Sequence, residues 1–280
     1  MPYSAEISRN NPACFLFLID RSGSMKDPIS GAGARRKADV VADAINRLFQ
    51  TLVLRCAKAE GVRDYFQVGV IAYGKEVGPA LGGVLAGRTT VSISEIANNP
   101  LRLEERMKKV DDGVGGIVDQ KILFPVWFEP MAAGKTPMCQ TLSLASQVLT
   151  EMVNRYPWSF PPMVINISDG VSTDGDPEPS AEALRSIGTG DGDALLFNLH
   201  ISSTPANPVW LPDSEVGLPD DHARRLFRMS SPLPTFAIES ARRDGATVGP
   251  NARGFVFNAD LVSVAQFLTI GTQVDPGVQN

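Results

Sequence analysis

Three short stretches of the chain carry side-chain oxygens of the kind that hold a hard cation. Asp20-Arg21-Ser22-Gly23-Ser24 places a carboxylate and two hydroxyls at alternate positions, so in a locally extended backbone all three emerge on one side. Thr136 in Gly134-Lys135-Thr136-Pro137-Met138 and Asp169 in Ile167-Ser168-Asp169-Gly170 add a third hydroxyl and a second carboxylate. Hard oxygens without imidazole or thiolate suit Mg2+, which takes about six oxygens at roughly 2.0–2.1 Å and usually keeps several waters. Mn2+ and Ca2+ share the preference for oxygen. Each stretch also has a plainer reading. Asp20 and the serines can form a turn that caps a following helix, Thr136 can be the N-cap of a helix with Pro137 in its first turn, and Asp169-Gly170 can be a simple turn.

Composition narrows the chemistry. With only His200 and His222 among 280 residues, a multi-histidine metal centre is excluded and a histidine-based triad has little to build on. Cys14, Cys56 and Cys139 are widely spaced with no C-x-x-C, which argues against a zinc knuckle or a disulfide framework and for a reducing, cytoplasmic setting. Basic residues number 26 against 31 acidic ones, a formal charge of −5, and no stretch concentrates them as a nucleic-acid or membrane surface would. Neither partner is expected. The apolar run at residues 15–19 is far too short to span a bilayer and has no small-residue cleavage site behind it. With 43% hydrophobic residues, a chain of this length can bury a large core without disulfides or a structural metal.

The elements that must position these oxygens are legible as hydrophobic patterns. Residues 15–19 form a continuous apolar run ending at Asp20, as a strand buried on both faces of a parallel sheet does. Over residues 35–58, Val41, Ile45, Leu48, Leu52 and Cys56 recur every three or four positions and predict an amphipathic helix. Residues 65–73 and 77–85 flank Gly74-Lys75-Glu76 and predict a hairpin that sets one antiparallel strand at a sheet edge. Ile96, Leu101, Leu103, Met107 and Val110 give residues 92–110 a helical spacing broken by Pro100, glycines in 112–116 end it, and 117–130 reads as irregular. Thr136 and Pro137 open a helix with Leu142, Ala145, Leu149, Met152 and Val153 on its inner face.

Further strands are expected at 163–168, 194–201 and 254–258, and helices at 180–187, 221–229, 235–244 and 260–270. Pro205, Pro208, Pro212 and Pro219 predict a long surface loop over 202–221, a candidate contact surface. This alternation predicts an α/β fold: a doubly wound, mostly parallel sheet with one antiparallel edge strand and helices on both faces. It is one domain over residues 12–270, with flexible ends at 1–11 and 271–280. In such sheets the ligand site lies beyond the carboxyl ends of the strands, where Asp20 and Asp169 stand.

Asp-x-Ser-x-Ser followed by a distant Thr and a distant Asp resembles the metal-ion-dependent adhesion site of the von Willebrand factor type A domain, of the bacterial stand-alone kind. The resemblance extends along nearly the whole chain, through the helix after the serines, the hairpin, and Thr-Pro-Met ahead of a helix; residues 112–130 and 202–221 depart from a minimal domain of this type. It implies a Rossmann-like fold and an Mg2+ held by Asp20, Ser22, Ser24, Thr136 and Asp169, the last commonly through water. It also implies a coordination position left for a glutamate or aspartate of a partner protein. The function implied is a cytoplasmic adaptor or regulator and not a catalyst, working beside a MoxR-type AAA+ ATPase or in a tellurite-resistance, stress or defence operon.

The rival reading is an enzyme. Asp20 after the first strand, Thr136, Lys135 and Asp169 resemble the set of a haloacid-dehalogenase-like, Mg2+-dependent phosphohydrolase, but Ser22 stands where that chemistry needs a second aspartate. Gly31-Ala32-Gly33-Ala34-Arg35-Arg36-Lys37 is glycine-rich before a helix yet lacks the Gly-Lys-Ser/Thr of a phosphate-binding loop, and reads as a flexible loop. His200 reads as a core or edge histidine, His222 as a solvated helix residue, and Phe124, Trp127 and Phe128 as packing that positions the Thr136 loop. Trp210 can anchor a partner or fold back over its own loop.

Overall fold

A computed structural model describes residues 3–29, 33–111, 117–201, 203 and 207–259. In chain order the elements are β1 (Ala13–Asp20), a 3-10 turn at Gly23–Lys26, α1 (Lys37–Cys56), β2 (Ala57–Lys58), β3 (Gly61–Val62), β4 (Phe66–Tyr73), β5 (Val77–Pro79), β6 (Val91–Ser92), α2 (Ile93–Asn98), β7 (Arg102–Asp111) and β8 (Ile117–Val126). There follow α3 (Met138–Arg155), β9 (Met163–Ser168), α4 (Glu178–Arg185), β10 (Gly188–Thr189), β11 (Gly192–Asp193), β12 (Leu195–Ile201), β13 (Val209–Trp210), α5 (Asp221–Met229), α6 (Thr235–Arg243) and β14 (Phe255–Ala259). The helix expected at 260–270 and the end at 271–280 lie outside the described residues, as do the glycines of 112–116.

The central sheet runs β13-β14-β12-β9-β1-β4-β5, with β6 also paired to β4. Its inner pairs β14-β12, β12-β9, β9-β1 and β1-β4 are parallel. Antiparallel strands close both margins, β5 and β6 against β4 and β13 against β14, where the sequence predicts antiparallel pairing at one edge. β13 is two residues inside the proline-rich loop, too short to leave a periodic signal.

Every residue of β1 is buried, and alternate side chains enter separate cores. Phe15, Phe17 and Ile19 pack with Val41, Ile45 and Phe49 of α1, Ile96 of α2 and Ala237 of α6. Leu16 and Leu18 pack with Leu142 and Leu149 of α3, Leu184 of α4 and Leu226 of α5. Full burial of each such side chain contributes about 1.5–3 kcal/mol, which is why one continuous apolar strand can anchor helices on either side. A buried polar chain crosses the sheet: the Tyr73 hydroxyl donates to Asn166 Oδ1 at 2.7 Å, Asn166 Nδ2 donates to Asn198 Oδ1 at 2.9 Å, and Asn198 Nδ2 donates to Ser230 Oγ at 3.0 Å.

The largest departure from the sequence reading lies between residues 92 and 126. Among the described residues there only Ile93–Asn98 is helical, started by a capping box between Ser92 and Glu95. Arg102–Asp111 and Ile117–Val126 are instead an antiparallel ribbon with Arg102 opposite Val126 and Asp111 opposite Ile117. Leu101, Leu103 and Met107, which suggest a helix, also alternate with Arg102, Glu104 and Arg106 at period two, and pairing with the second strand selects that period. Phe124 on the ribbon is buried under the Arg106 guanidinium, 3.6 Å from its ring, and Arg106 pairs with Asp43 of α1. The N-terminal segment, read as flexible, is tied down over its first described residues: Tyr3 N donates to Asp191 O at 2.8 Å, Ala5 N to Asp191 Oδ2 at 2.9 Å, and Ile7 is buried.

Candidate metal centre

In the sheet Ile19 lies opposite Ile167, so β1 and β9 end side by side, with Asp20 the last residue of β1 and Asp169 the first after β9. Asp20 is fully buried. Its Oδ1 accepts the Ser22 N–H at 2.7 Å and its Oδ2 accepts the Ser168 hydroxyl at 2.8 Å. The first of these closes an Asx turn, so the plainer reading of Asp20 as a turn former is present, but it occupies one oxygen only. The turn sends both serine hydroxyls toward the other strand end: Ser24 Oγ donates to Asp169 Oδ1 at 2.7 Å, Ser22 Oγ lies 3.5 Å from the same atom, and the two hydroxyls are 3.0 Å apart.

Thr136 reaches this cluster on a third loop. It is buried, and its Oγ1 lies 3.5 Å from where a Cβ on Gly170 would stand. Thr173 holds it from both sides, accepting the Thr136 N–H on Oγ1 at 3.1 Å and donating its own N–H to Thr136 O at 2.9 Å. Thr136 is not the cap of α3. That helix starts at Met138 with Pro137 in the cap position, and Asp174 takes the first-turn N–H groups of Cys139 and Gln140 at 3.0 and 2.9 Å. The threonine hydroxyl is thereby released from capping.

Backbone contacts lock the three loops together. Gly23 N donates to Gly134 O at 3.0 Å, and Ala133 N to Arg21 O at 2.6 Å. Gly134 has φ +95°, and a Cβ there would stand 2.3 Å from Lys75 N, so only glycine lets the Thr136 loop lie against the turn after β4. Behind the loops, Asn46 of α1 accepts the N–H groups of Trp127 and Phe128 at 2.8 and 3.1 Å, and the Arg21 guanidinium sits 4.4 Å from the Phe128 ring centre. Phe124, Trp127 and Phe128 are all buried, in the packing role their positions suggest.

One participant has no counterpart in the sequence reading. Lys37, at the start of α1, places its ammonium 2.9 Å from Asp169 Oδ2, with the lysine side chain 6% exposed and the aspartate side chain fully covered. A cation in the first turn of a helix opposes the helix dipole, so its position was a signal that an anion must meet it. Ser168, the hydroxyl on Asp20, was likewise hidden inside an apolar strand pattern. Burial pushes the Asp20 carboxyl up to about 6, against hydrogen bonds from Ser22 and Ser168 that lower it, while the Asp169 charge adds a small upward push.

The histidines stand to one side. His200, opposite Ser168 in the sheet, accepts the Asn258 N–H on Nδ1 at 3.1 Å and stacks on Phe257, and burial pushes it down to about 4. His222 is half-buried rather than solvated, because α5 packs its ring 5.5 Å from that of His200. Trp210 folds back against the core.

The loops therefore bring the Ser22 and Ser24 hydroxyls onto Asp169, with Asp20 at the base of the serine turn, Thr136 on the neighbouring loop and the buried Lys37 ammonium beside Asp169. Among the described residues no group of three or more His, Cys, Asp or Glu side chains gathers as a metal cluster, so any ion at this place must rely on hydroxyl oxygens. That chemistry fits a hard divalent cation, which accepts neutral oxygens and keeps its own waters. The three cysteines form no disulfide with one another. Among the described residues no helix is long and apolar enough to cross a membrane.

No family model matches the chain, and no curated protein matches it either. Solved structures match at low identity. Proximal thread matrix protein 1 from the mussel byssus is 14% identical, with a TM-score of 0.48 over 98% of this chain and 50% of that one. The pilus adhesin SpaC from Lactobacillus rhamnosus GG is 14% identical, with a TM-score of 0.47 over 95% of this chain and 30% of that one. The vWF domain of the type V pili tip protein Mfa5 from Porphyromonas gingivalis is 12% identical, with a TM-score of 0.33 over 58% of this chain and 39% of that one. The chain spans half or less of the length of each.

Proposed function

We propose that this chain is a von Willebrand factor A-type binding module on a doubly wound, Rossmann-like sheet, and that it captures an acidic side chain of a protein partner through Mg2+. The ion would be held by Asp20, Ser22, Ser24, Thr136 and Asp169. When bound it supplies an electrophilic centre, because neutral hydroxyls make up most of the protein's share of its shell and a position stays open to an anionic oxygen. The observation that carries the reading is the meeting of Ser22 and Ser24 with Asp169, side chains some 145 residues apart that converge on one carboxylate oxygen.

The chain's own residues do the rest. Asp20 fixes the serine turn through its backbone, Ser168 orients Asp20, and Thr173 holds Thr136. Beside Thr136 a cleft of about 760 Å³, lined in part by Lys75, Glu76, Lys135 and Asp174, offers a partner both charge signs at the rim of the site. A phosphohydrolase would need Asp20 exposed as a nucleophile with a second carboxylate two positions on. Asp20 is instead fully buried and that position is Ser22. These features favour a binding module over that phosphohydrolase, and the adaptor or regulator role and its cytoplasmic setting are part of the proposal.

The test is divalent-dependent capture. Millimolar Mg2+ should raise the melting temperature of the metal-free protein, and a pull-down with Mg2+ should retain partners that EDTA releases; Asp20→Ala should abolish both responses. Capture that ignores EDTA and the substitution would overturn the proposal. Mg2+-dependent hydrolysis across a phosphoester panel, lost in Asp20→Asn, would install the enzyme in its place.

A further inference from the structure

Asp169 divides its two oxygens between different partners. Oδ1 receives the Ser24 hydroxyl at 2.7 Å and faces Ser22, whereas Oδ2 carries the Lys37 ammonium at 2.9 Å. With the lysine side chain 6% exposed and that of Asp169 fully covered, this is a buried ion pair and not a mobile surface contact. Lys37 is held there from its backbone as well, its N–H donating to Asp27 O at 2.9 Å, so the start of α1 is clamped to the loop that carries the serines. In the buried surroundings of Asp20 and Asp169, one fixed positive charge is screened little by salt.

Resting on the metal-site reading above, we infer that Lys37 is a specificity-determining residue: its fixed cation weakens the grip on a divalent ion and leaves the loaded site with a surplus positive charge that selects an anionic ligand. The charge count gives the direction. Two carboxylates and one ammonium offer a divalent ion a single net negative charge, so the loaded site is left with one net positive charge, which one incoming carboxylate neutralises. Without the ammonium the loaded site is already neutral, holding its ion more tightly and attracting the anion less. Affinity for the ion is thus given up for affinity toward what the ion must bind.

The experiment titrates Mn2+ and Mg2+ into metal-free wild type, Lys37→Met, Lys37→Arg and Asp20→Ala by calorimetry. It then measures how much acetate is needed to displace water from the Mn2+-loaded proteins, by water-proton relaxation. Lys37→Met should bind Mn2+ about 10- to 100-fold more tightly, the range in which groups adjoining the ligands tune a metal site, and should need several-fold more acetate. Lys37→Arg, which keeps the charge, should stay within about threefold of wild type in both. Ion binding by wild type with Lys37→Met equal or weaker, or with an unchanged acetate response, overturns the inference and leaves the metal site standing. No ion uptake by wild type or by Lys37→Met overturns the metal site and this inference together. A measurement on the unsubstituted protein guards against a variant that does not fold: with lysine labelled in 15N, the Lys37 ammonium signal should persist and shift when Mg2+ is added. Its loss to solvent exchange would show the lysine expelled by the ion and refute its role beside it.

Discussion

Replacing Asp20 with asparagine should make the metal-free protein more stable, not less. The carboxyl is fully buried, and burial raises it from 3.8 to about 6. At about 1.4 kcal/mol per tenfold change in the equilibrium, the ionised group costs the fold on the order of 3 kcal/mol at neutral pH. Asparagine keeps the shape, its Oδ1 can still accept the Ser22 N–H, and its amide can donate to Ser168 Oγ, whose own hydrogen has Gly170 O within 3.2 Å. For a chain of this size the gain corresponds to a rise in melting temperature of about 6–12 °C in EDTA at pH 7.5.

The sign fixes the pH window. A carboxyl whose folded-state pKa is raised above its unfolded value costs stability wherever it must be ionised. The cost is fully present above about 6 and gone below 3.8, so the advantage of Asp20→Asn should fade between those two pH values. His200 acts the other way: pushed down to about 4 by burial, it contributes stability above 6.5 that is lost as pH falls. Both proteins contain His200, so its effect cancels in the difference. Melting curves of the two proteins from pH 4 to 8, in EDTA and in Mg2+ at about a hundred times the Kd that calorimetry gives for wild type, provide the assay. At the latter concentration wild type should gain about 2.7 kcal/mol and the variant nothing, which removes most or all of the difference. A variant less stable than wild type in EDTA at pH 7.5, or a difference that ignores pH, refutes the argument that burying this charge strains the fold.

Two further substitutions probe the supports of the site. Gly134→Ala should destabilise the protein by about 2–4 kcal/mol in a urea titration, since φ +95° and a Cβ 2.3 Å from Lys75 N oppose any side chain, and Mg2+ uptake should fall with it. Tyr73→Phe should cost about 1–2 kcal/mol by the same titration, because it removes the donor that satisfies buried Asn166 Oδ1 at 2.7 Å.

What the sequence made legible was what depends on short stretches of chain. β1 and β9 announce themselves as continuous apolar runs because central parallel strands are buried on both faces; β1 ends on Asp20, and Asp169 follows the last residue of β9. α1 and α3 show their stripes because each packs one face. The ribbon of β7 and β8 failed that test: Leu103 and Met107 satisfy both a helical and an alternating pattern, and the partner strand that decides between them begins only at Ile117. β13 was hidden for the opposite reason, having two residues and no period at all.

The cluster divides along the same line. Its oxygen donors can be named from residue type and from position at strand ends, yet its charge balance cannot, because the ammonium that faces Asp169 comes from a helix start 132 residues away. A donor count of two carboxylates and three hydroxyls predicts a site that takes a divalent ion and is neutral once loaded. Adding Lys37 changes that prediction to a weaker, cation-surplus site whose business is with an anion. Since both forms share the same motif, chains that carry identical oxygens can differ in ion affinity and in ligand choice according to what stands at the beginning of the following helix, and the place to look for that difference is a basic residue where the helix dipole disfavours one.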